Sequence, residues 1–228
     1  MDDLLVCHLG QVEYRAAAEL QENLRERRRR DEIGDLLLLL EHPPVYTRGR
    51  RTQDGELPMG ADWYAAQGID IVDTPRGGRA TYHGPGQLVG YAIMRTVDVV
   101  EHVRAMERAI ATALAEHGIE AHARVDDGPD FTGVWTGERK IASIGVHLSH
   151  GITAHGFAVN VDNDLQPFEW IVPCGLQAQM TSITRELRTA PHLPCFRKRM
   201  AHAFTREHGR RQRLVALPRL LAHERSIA

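Results

Sequence analysis

Arg76-Gly77-Gly78-Arg79-Ala80-Thr81-Tyr82-His83-Gly84-Pro85-Gly86-Gln87-Leu88-Val89-Gly90-Tyr91 is the densest signal in the chain. Glycines and a proline break up the segment between two strand-like runs, Ile69 to Thr74 and Leu88 to Met94. Such a loop is costly to order, because glycine loses more backbone freedom on folding than any other residue. The gain is close approach of bare backbone to a ligand, with Arg76, Arg79, Thr81, Tyr82 and His83 available to orient polar groups. Glycine content alone fits an ordinary hairpin turn equally well. A phosphate loop does not fit, since neither Gly-x-x-x-x-Gly-Lys-Ser/Thr nor a Gly-x-Gly-x-x-Gly that opens a helix is present.

Working outward, Leu36 to Leu40 is bounded by Gly34-Asp35 and Pro43-Pro44, too short for a typical helix, and predicts a buried strand followed by a tight loop. Val12, Ala16, Leu20 and Leu24 recur every fourth position and predict an amphipathic helix ending near Arg27 to Arg30. A short helix is expected around Trp63. Val99, Val103, Met106, Ile110 and Leu114 mark another amphipathic helix, stopped by Gly118. From Phe131 to Val161, turn residues at Thr136-Gly137-Glu138 and Ser149-His150-Gly151 separate strand-like runs, a meander of at least three strands. A helix from about Leu193 to His208 precedes a charged tail from about residue 210 to residue 228. Helices around a mostly antiparallel sheet define an α+β class, in one domain spanning residues 1–228.

Composition narrows the function. The 228 residues are 43% hydrophobic and 25% charged, with net charge -2, which fits neither a disordered tail nor a basic nucleic-acid binder. Cys7, Cys174 and Cys195 cannot pair completely and form no Cys-x-x-Cys, so a reducing compartment fits better than a disulfide scaffold. The apolar run at Leu36 to Leu40 falls far short of the roughly 18 residues of a membrane span. Met1-Asp2-Asp3 lacks a signal peptide's basic start, so the expected location is the cytoplasm. Among the histidines, His147, His150 and His155 form no recognised metal-ligand pattern. Arg25 to Arg30 reads as a solvated helix end.

Arg-Gly-Gly-x-x-Thr-Tyr-His-x-x-Gly-Gln-x-Val-x-Tyr, as it stands at residues 76–91, resembles the signature of the lipoyl(octanoyl) transferase family. Glu41-His42-Pro43-Pro44-Val45-Tyr46-Thr47 is similar to that family's early loop. Gly137-Glu138-Arg139-Lys140-Ile141-Ala142-Ser143-Ile144-Gly145-Val146 is similar to its lysine strand, and Ile171-Val172-Pro173-Cys174-Gly175-Leu176 to its cysteine loop. The likeness runs from about Leu36 to Leu187. It departs at Thr47-Arg48-Gly49-Arg50-Arg51, where the family often has an apolar residue after the threonine.

The resemblance implies the cofactor-ligase fold shared with biotin and lipoate protein ligases, a mixed, mostly antiparallel sheet flanked by helices. It places Cys174 on the catalytic nucleophile and Lys140 on the lysine that lowers its pKa. Substrate-binding positions carry over to Arg76, Gly77, Gly78, Arg79, Ala80, Thr81, Tyr82 and His83, to Ser143, Ile144 and Gly145, and to Gly156, Phe157 and Ala158. The implied activity moves an octanoyl group from octanoyl-acyl-carrier protein to a lysine of a lipoyl domain through a cysteine thioester, in lipoate biosynthesis. Lipoyl domains of 2-oxoacid dehydrogenase complexes and the glycine cleavage H protein are the implied acceptors, and no cofactor, ATP, metal, nucleic acid or membrane is expected.

The chemistry agrees, because a free thiol with a pKa of about 8.5 is mostly protonated at neutral pH and a nearby ammonium favours the reactive thiolate. Rival readings are an ATP-dependent lipoate or biotin ligase, against which a cysteine at the nucleophile position argues, and a non-catalytic module that binds acylated carriers. Arg48, Arg50, Arg51, Arg76 and Arg79 are candidates for one basic patch that docks an acidic carrier protein.

Overall fold

All five leucines from Leu36 to Leu40 are buried, at 1% exposure or less. Leu37 and Leu39 enter one core and Leu36, Leu38 and Leu40 another, so both faces of this strand are covered. The computed structural model describes residues 2–172 and 179–222. In chain order, the described elements begin β1 (Asp3–Gln11), α1 (Tyr14–Arg29), β2 (Leu36–Glu41), β3 (Val45–Arg48), α2 (Ala61–Ala66), β4 (Asp70–Asp73), β5 (Thr81–His83) and β6 (Gln87–Ile93). They continue with α3 (Val99–Ala115), β7 (His122–Ala123), β8 (Gly133–Thr136), β9 (Arg139–Ser149), β10 (Ile152–Asn160), α4 (Ile183–Leu187), α5 (Leu193–Glu207), β11 (Arg211–Leu214) and α6 (Leu217–Leu221).

One sheet has the order β11-β1-β2-β6-β10-β9-β8-β7, and a smaller one the order β4-β3-β5. The β11-β1 and β1-β2 pairs are parallel and every other pair of the large sheet is antiparallel. Helices α3 and α5 cover one face, with Met106, Ile110, Leu114, Phe196, Met200 and Phe204 in its core. On the opposite face α1 contributes Ala17 and Leu24, and α6 contributes Leu220. The α+β class and the mostly antiparallel sheet therefore stand. The meander is β8, β9 and β10, and its second turn uses His150 and Gly151, both at positive φ as a two-residue hairpin turn requires.

Three expectations change. The buried stripe of α1 is Tyr14, Ala17, Gln21 and Leu24, whereas Val12 precedes the helix and Ala16 is exposed. A strict spacing of four drifts around a helix of 3.6 residues per turn, so the contact face follows three-and-four spacing. The basic run at its end is not simply solvated: Arg27 is buried and donates to the Leu220 carbonyl, and Arg28 pairs with buried Asp35 at 2.7 Å. In place of a charged tail from about residue 210, Arg211–Leu214 adds an edge strand to β1, and Arg211 pairs with Asp3 at 2.7 Å. No described helix is long and apolar enough to cross a membrane.

Because β2 is covered on both faces, Leu37→Ala and Leu38→Ala should each destabilise the protein by about 2–5 kcal/mol, measured by urea unfolding. Tolerance of either change would mean that one face of the strand is not part of a packed core.

Candidate active site

The residues of the opening stretch form β5, the start of β6 and the loop before them. That loop closes against β9, whose partner β8 pairs only as far as Ser143. Beyond that point β9 has a free edge, and the Gly77 N–H donates to the Val146 carbonyl at 2.9 Å. Gly145 permits this approach, since a Cβ there would lie 2.8 Å from the Gly77 oxygen. The loop thereby roofs a cavity of about 810 Å³, within the usual range for small-ligand sites.

Arg76, Gly77, Gly78, Arg79, Ala80, Thr81, His83, Ser143, Ile144, Gly145, Gly156, Phe157 and Ala158 all line that cavity, together with Lys140. Tyr82 does not: it packs against Tyr46 and Phe168 in an aromatic cluster under the small sheet, with ring centroids 5.6 and 5.5 Å away. Alternation along β5 sends Tyr82 to the face opposite Thr81 and His83. Cys174 lies outside the described residues. Val172 and Gln179, on either side of residues 173–178, both line the cavity.

Lys140 owes its place to a bulge. The register passes from Val134 opposite Ala142 to Trp135 opposite Lys140, leaving Ile141 as an extra residue in β9. Lys140 and Ser143, three positions apart, would face opposite ways in an unbroken strand, yet both reach the cavity while Ile141 and Ala142 pack in the core. The ammonium sits 5.3 Å from the Trp135 ring centroid. Burial lowers its pKa to about 8, opposed by the carboxylates of Glu107 and Asp130, which favour the charged form. On the backbone, the Lys140 N–H donates to the Gln179 carbonyl and its carbonyl accepts from Thr181, both at 2.9 Å.

Arg76 and His83 are fixed by neutral partners. Arg76 is buried and donates to the Thr47 carbonyl at 2.7 Å, the Thr47 hydroxyl at 2.6 Å and the Gly77 carbonyl at 2.9 Å. Burial pushes its pKa down. Burial also holds the His83 imidazole well below its usual pKa, next to His42. Its Nδ1 lies 2.7 Å from Gln87 Oε1, while Gln87 Nε2 donates to Asn160 Oδ1 at 2.9 Å. That direction of bonding makes Nδ1 the protonated nitrogen and leaves the lone pair on Nε2. Asn160 in turn donates to the Thr181 carbonyl at 3.0 Å, so a polar bridge joins the signature to the strand of Lys140.

The arginines do not form one open patch. Arg48 pairs with Asp73 at 2.7 Å, Arg51 with Asp130 at 2.9 Å and Arg79 with buried Glu56 at 2.9 Å, while Arg76 points inward. Arg50 is exposed and has no ion-pair partner among the described residues. Glu56 also accepts from the Ala80 N–H, and its carbonyl accepts from Val172, so it ties the signature to the start of the cysteine loop. The sequence reading missed Glu56, Glu107 and Asp130 because the contacts that bring them to the site, with Arg79, Gly133 and Arg51, span 23 or more positions. Among the described residues, no group of three or more His, Cys, Asp or Glu side chains could hold a metal.

A mixed sheet with helices on both faces and an apolar cavity roofed by a glycine-rich loop is the cofactor-ligase architecture. The bipartite lipoate protein ligase of Thermoplasma acidophilum superimposes with a TM-score of 0.70 at 16% identity, covering 95% of this chain and 87% of that one. The biotin protein ligase of Aquifex aeolicus gives 0.52 at 12% identity, covering 92% and 70%. The lipoyl protein ligase A/B catalytic domain matches residues 13–205. A protein named octanoyltransferase from Solibacter usitatus is 51% identical over 179 residues, 77% of this chain and 80% of its own length. The chain belongs to the lipoyl protein ligase A/B catalytic domain family.

The glycines have separate duties. A Cβ on Gly156 would overlap the Gly90 carbonyl of the neighbouring strand, so added bulk there should disturb the sheet before it narrows the cavity. Gly156→Ala should therefore lower the melting temperature by several degrees as well as activity. An unchanged melting temperature with a shifted acyl-chain preference would instead place Gly156 purely on the ligand side.

Proposed function

We propose that this chain is an octanoyltransferase that moves an octanoyl group from octanoyl-acyl-carrier protein to a lysine of a lipoyl domain, with Cys174 as nucleophile and Lys140 as its acid–base partner. The observation that carries this reading is the Lys140 amine buried in an apolar cavity, in a chain 51% identical to a named octanoyltransferase. Lipoyl domains of 2-oxoacid dehydrogenase complexes and the glycine cleavage H protein are the acceptors in this reading. Neither ATP nor a resident cofactor takes part.

In the first half-reaction the Cys174 thiolate attacks the donor's thioester carbon. The bond from that carbon to the pantetheine sulfur breaks, and the Lys140 ammonium gives its proton to the leaving thiolate. One thioester replaces another, so no activation by nucleotide is needed. In the second, the acceptor lysine amine attacks the acyl-enzyme. Lys140, now neutral, takes a proton from that amine, an amide forms and the Cys174 sulfur leaves. With its pKa lowered to about 8, Lys140 is charged at pH 7 yet gives up its proton far more readily than an exposed lysine. The neutral, Nδ1-protonated His83 and the backbone of Gly77 and Gly78 supply polar groups on the cavity wall.

Three outcomes test the reading. Intact mass after incubation with octanoyl-carrier protein, without ATP, should show a single octanoyl adduct mapping to Cys174, and Cys174→Ser should lose both adduct and transfer. A strict requirement for ATP would instead indicate a ligase. Lys140→Ala should raise the pH at which Cys174 is alkylated by iodoacetamide, because the cation that favours the thiolate is gone. For pH, the group that must be protonated in acylation is Lys140, so the acylation rate should fall as pH rises through about 8. A rate that keeps climbing through that range would remove Lys140 as the acid.

A further inference from the structure

We propose that Glu107, a buried carboxylate on α3, is the positioning residue for Lys140: it fixes the backbone of Gly133, whose missing side chain leaves open the path along which the lysine stem reaches the cavity. This rests on the reading of Lys140 given above.

Glu107 is 2% exposed, in a helix whose other buried residues include Met106, Ala109 and Ile110. A carboxylate is costly to bury unless its oxygens are satisfied. One oxygen accepts from Arg104 at 2.6 Å, and the other accepts from the Gly133 N–H at 3.0 Å. Gly133 is the first residue of β8 and pairs with Ser143 of β9, next to the bulge that re-aims Lys140. Its φ of +137° is one that L side chains rarely adopt. An ideal Cβ there would overlap the Ala142 carbonyl and lie 2.7 Å from Lys140 Cε. The helix thus holds the one residue of β8 that must stay bare for the lysine to pass.

Glu107 acts through charge as well as geometry. Two carboxylates hold a proton on Lys140 against desolvation, Glu107 from α3 and Asp130 from the turn before β8. Asp130 is already engaged by Arg51 at 2.9 Å and Arg79 at 3.5 Å, and Glu107 by Arg104. Other described neighbours include the Trp135 ring, which also carries Arg124 at 4.9 Å, Met180, and the backbone of Gln179 and Thr181. Removing the Glu107 charge leaves the amine with desolvation and less compensation, so its pKa should fall.

Glu107→Gln keeps the shape and a carbonyl oxygen for the Gly133 N–H while deleting the charge. Lys140 and Lys198 are the only lysines in the chain, so competitive acetylation with acetic anhydride followed by peptide mapping titrates both amines in one sample. The expected result is a Lys140 midpoint lowered by roughly half a pH unit or more, with Lys198 unmoved and the falling limb of acylation shifted in step. The kcat should drop about tenfold with KM for the carrier protein nearly unchanged. Gly133→Ala should lose at least as much activity, and if that variant folds poorly Glu107→Gln still decides. An unaltered Lys140 midpoint and an unaltered falling limb in Glu107→Gln would overturn the proposal. Lys140→Ala separates the two readings: retained activity there would refute the acid–base role of Lys140, whereas the labelling midpoint judges Glu107 whatever the activity.

Discussion

The hydrogen bond from the Gly77 N–H to the Val146 carbonyl holds the site together. It caps the length of β9 that β8 leaves unpaired, and so fastens the small sheet and its loop to the large one. That contact joins the anchors that Thr47 and Glu56 give to Arg76, Arg79 and Ala80, and it is the one that sets this segment over β9 as the roof of the cavity. The glycine at 145 serves this docking first, since a side chain there would meet the Gly77 backbone. Arg76 reinforces it from within by reaching back to Thr47 on β3. The cavity is therefore a consequence of an edge being covered, the usual fate of exposed sheet edges in folded proteins.

Much of this was legible in the residues. The leucine run, the meander turns and the α3 periodicity depend on local patterns, and each lies where its sequence puts it. The signature stretch carried the site because backbone that must come close to something else needs glycine, and glycine is visible in a sequence. Less legible were β1, β3, β5 and β11, which are short or mixed in character and become strands only by pairing with distant partners. β11 reads Arg-Gln-Arg-Leu and looks like a solvated tail until Asp3 and the β1 backbone are brought beside it. Tyr82 was grouped with its neighbours by the motif, and strand alternation removed it.

Charge was the least legible property. Arg48, Arg51 and Arg79 look like a basic patch when read along the chain, yet each meets a carboxylate 23 or more residues away. Glu107 looks like one more solvated helix residue, adjacent to the apolar stripe that a hydrophobic pattern detects. Only the fold shows that its two oxygens are spent on Arg104 and on a strand backbone. Periodicity reports which face is apolar; it is silent on which charged group has been recruited into that face.

The parallel pairing of β1 with β11 joins Asp3 to Arg211 and Leu5 to Arg213 across more than two hundred positions. The entropy of closing so long a loop grows only with the logarithm of its length, so the equilibrium cost is modest, but contacts of such separation come late in folding. Strands β2, β6, β10 and β9 can assemble from closer partners, and the cavity depends on them. The β11 edge is then the last seam to close, about five strand spacings, or roughly 24 Å, from β9. Fraying of that seam would open the sheet at the end farthest from Lys140, leaving the cavity intact while the outermost strand breathes.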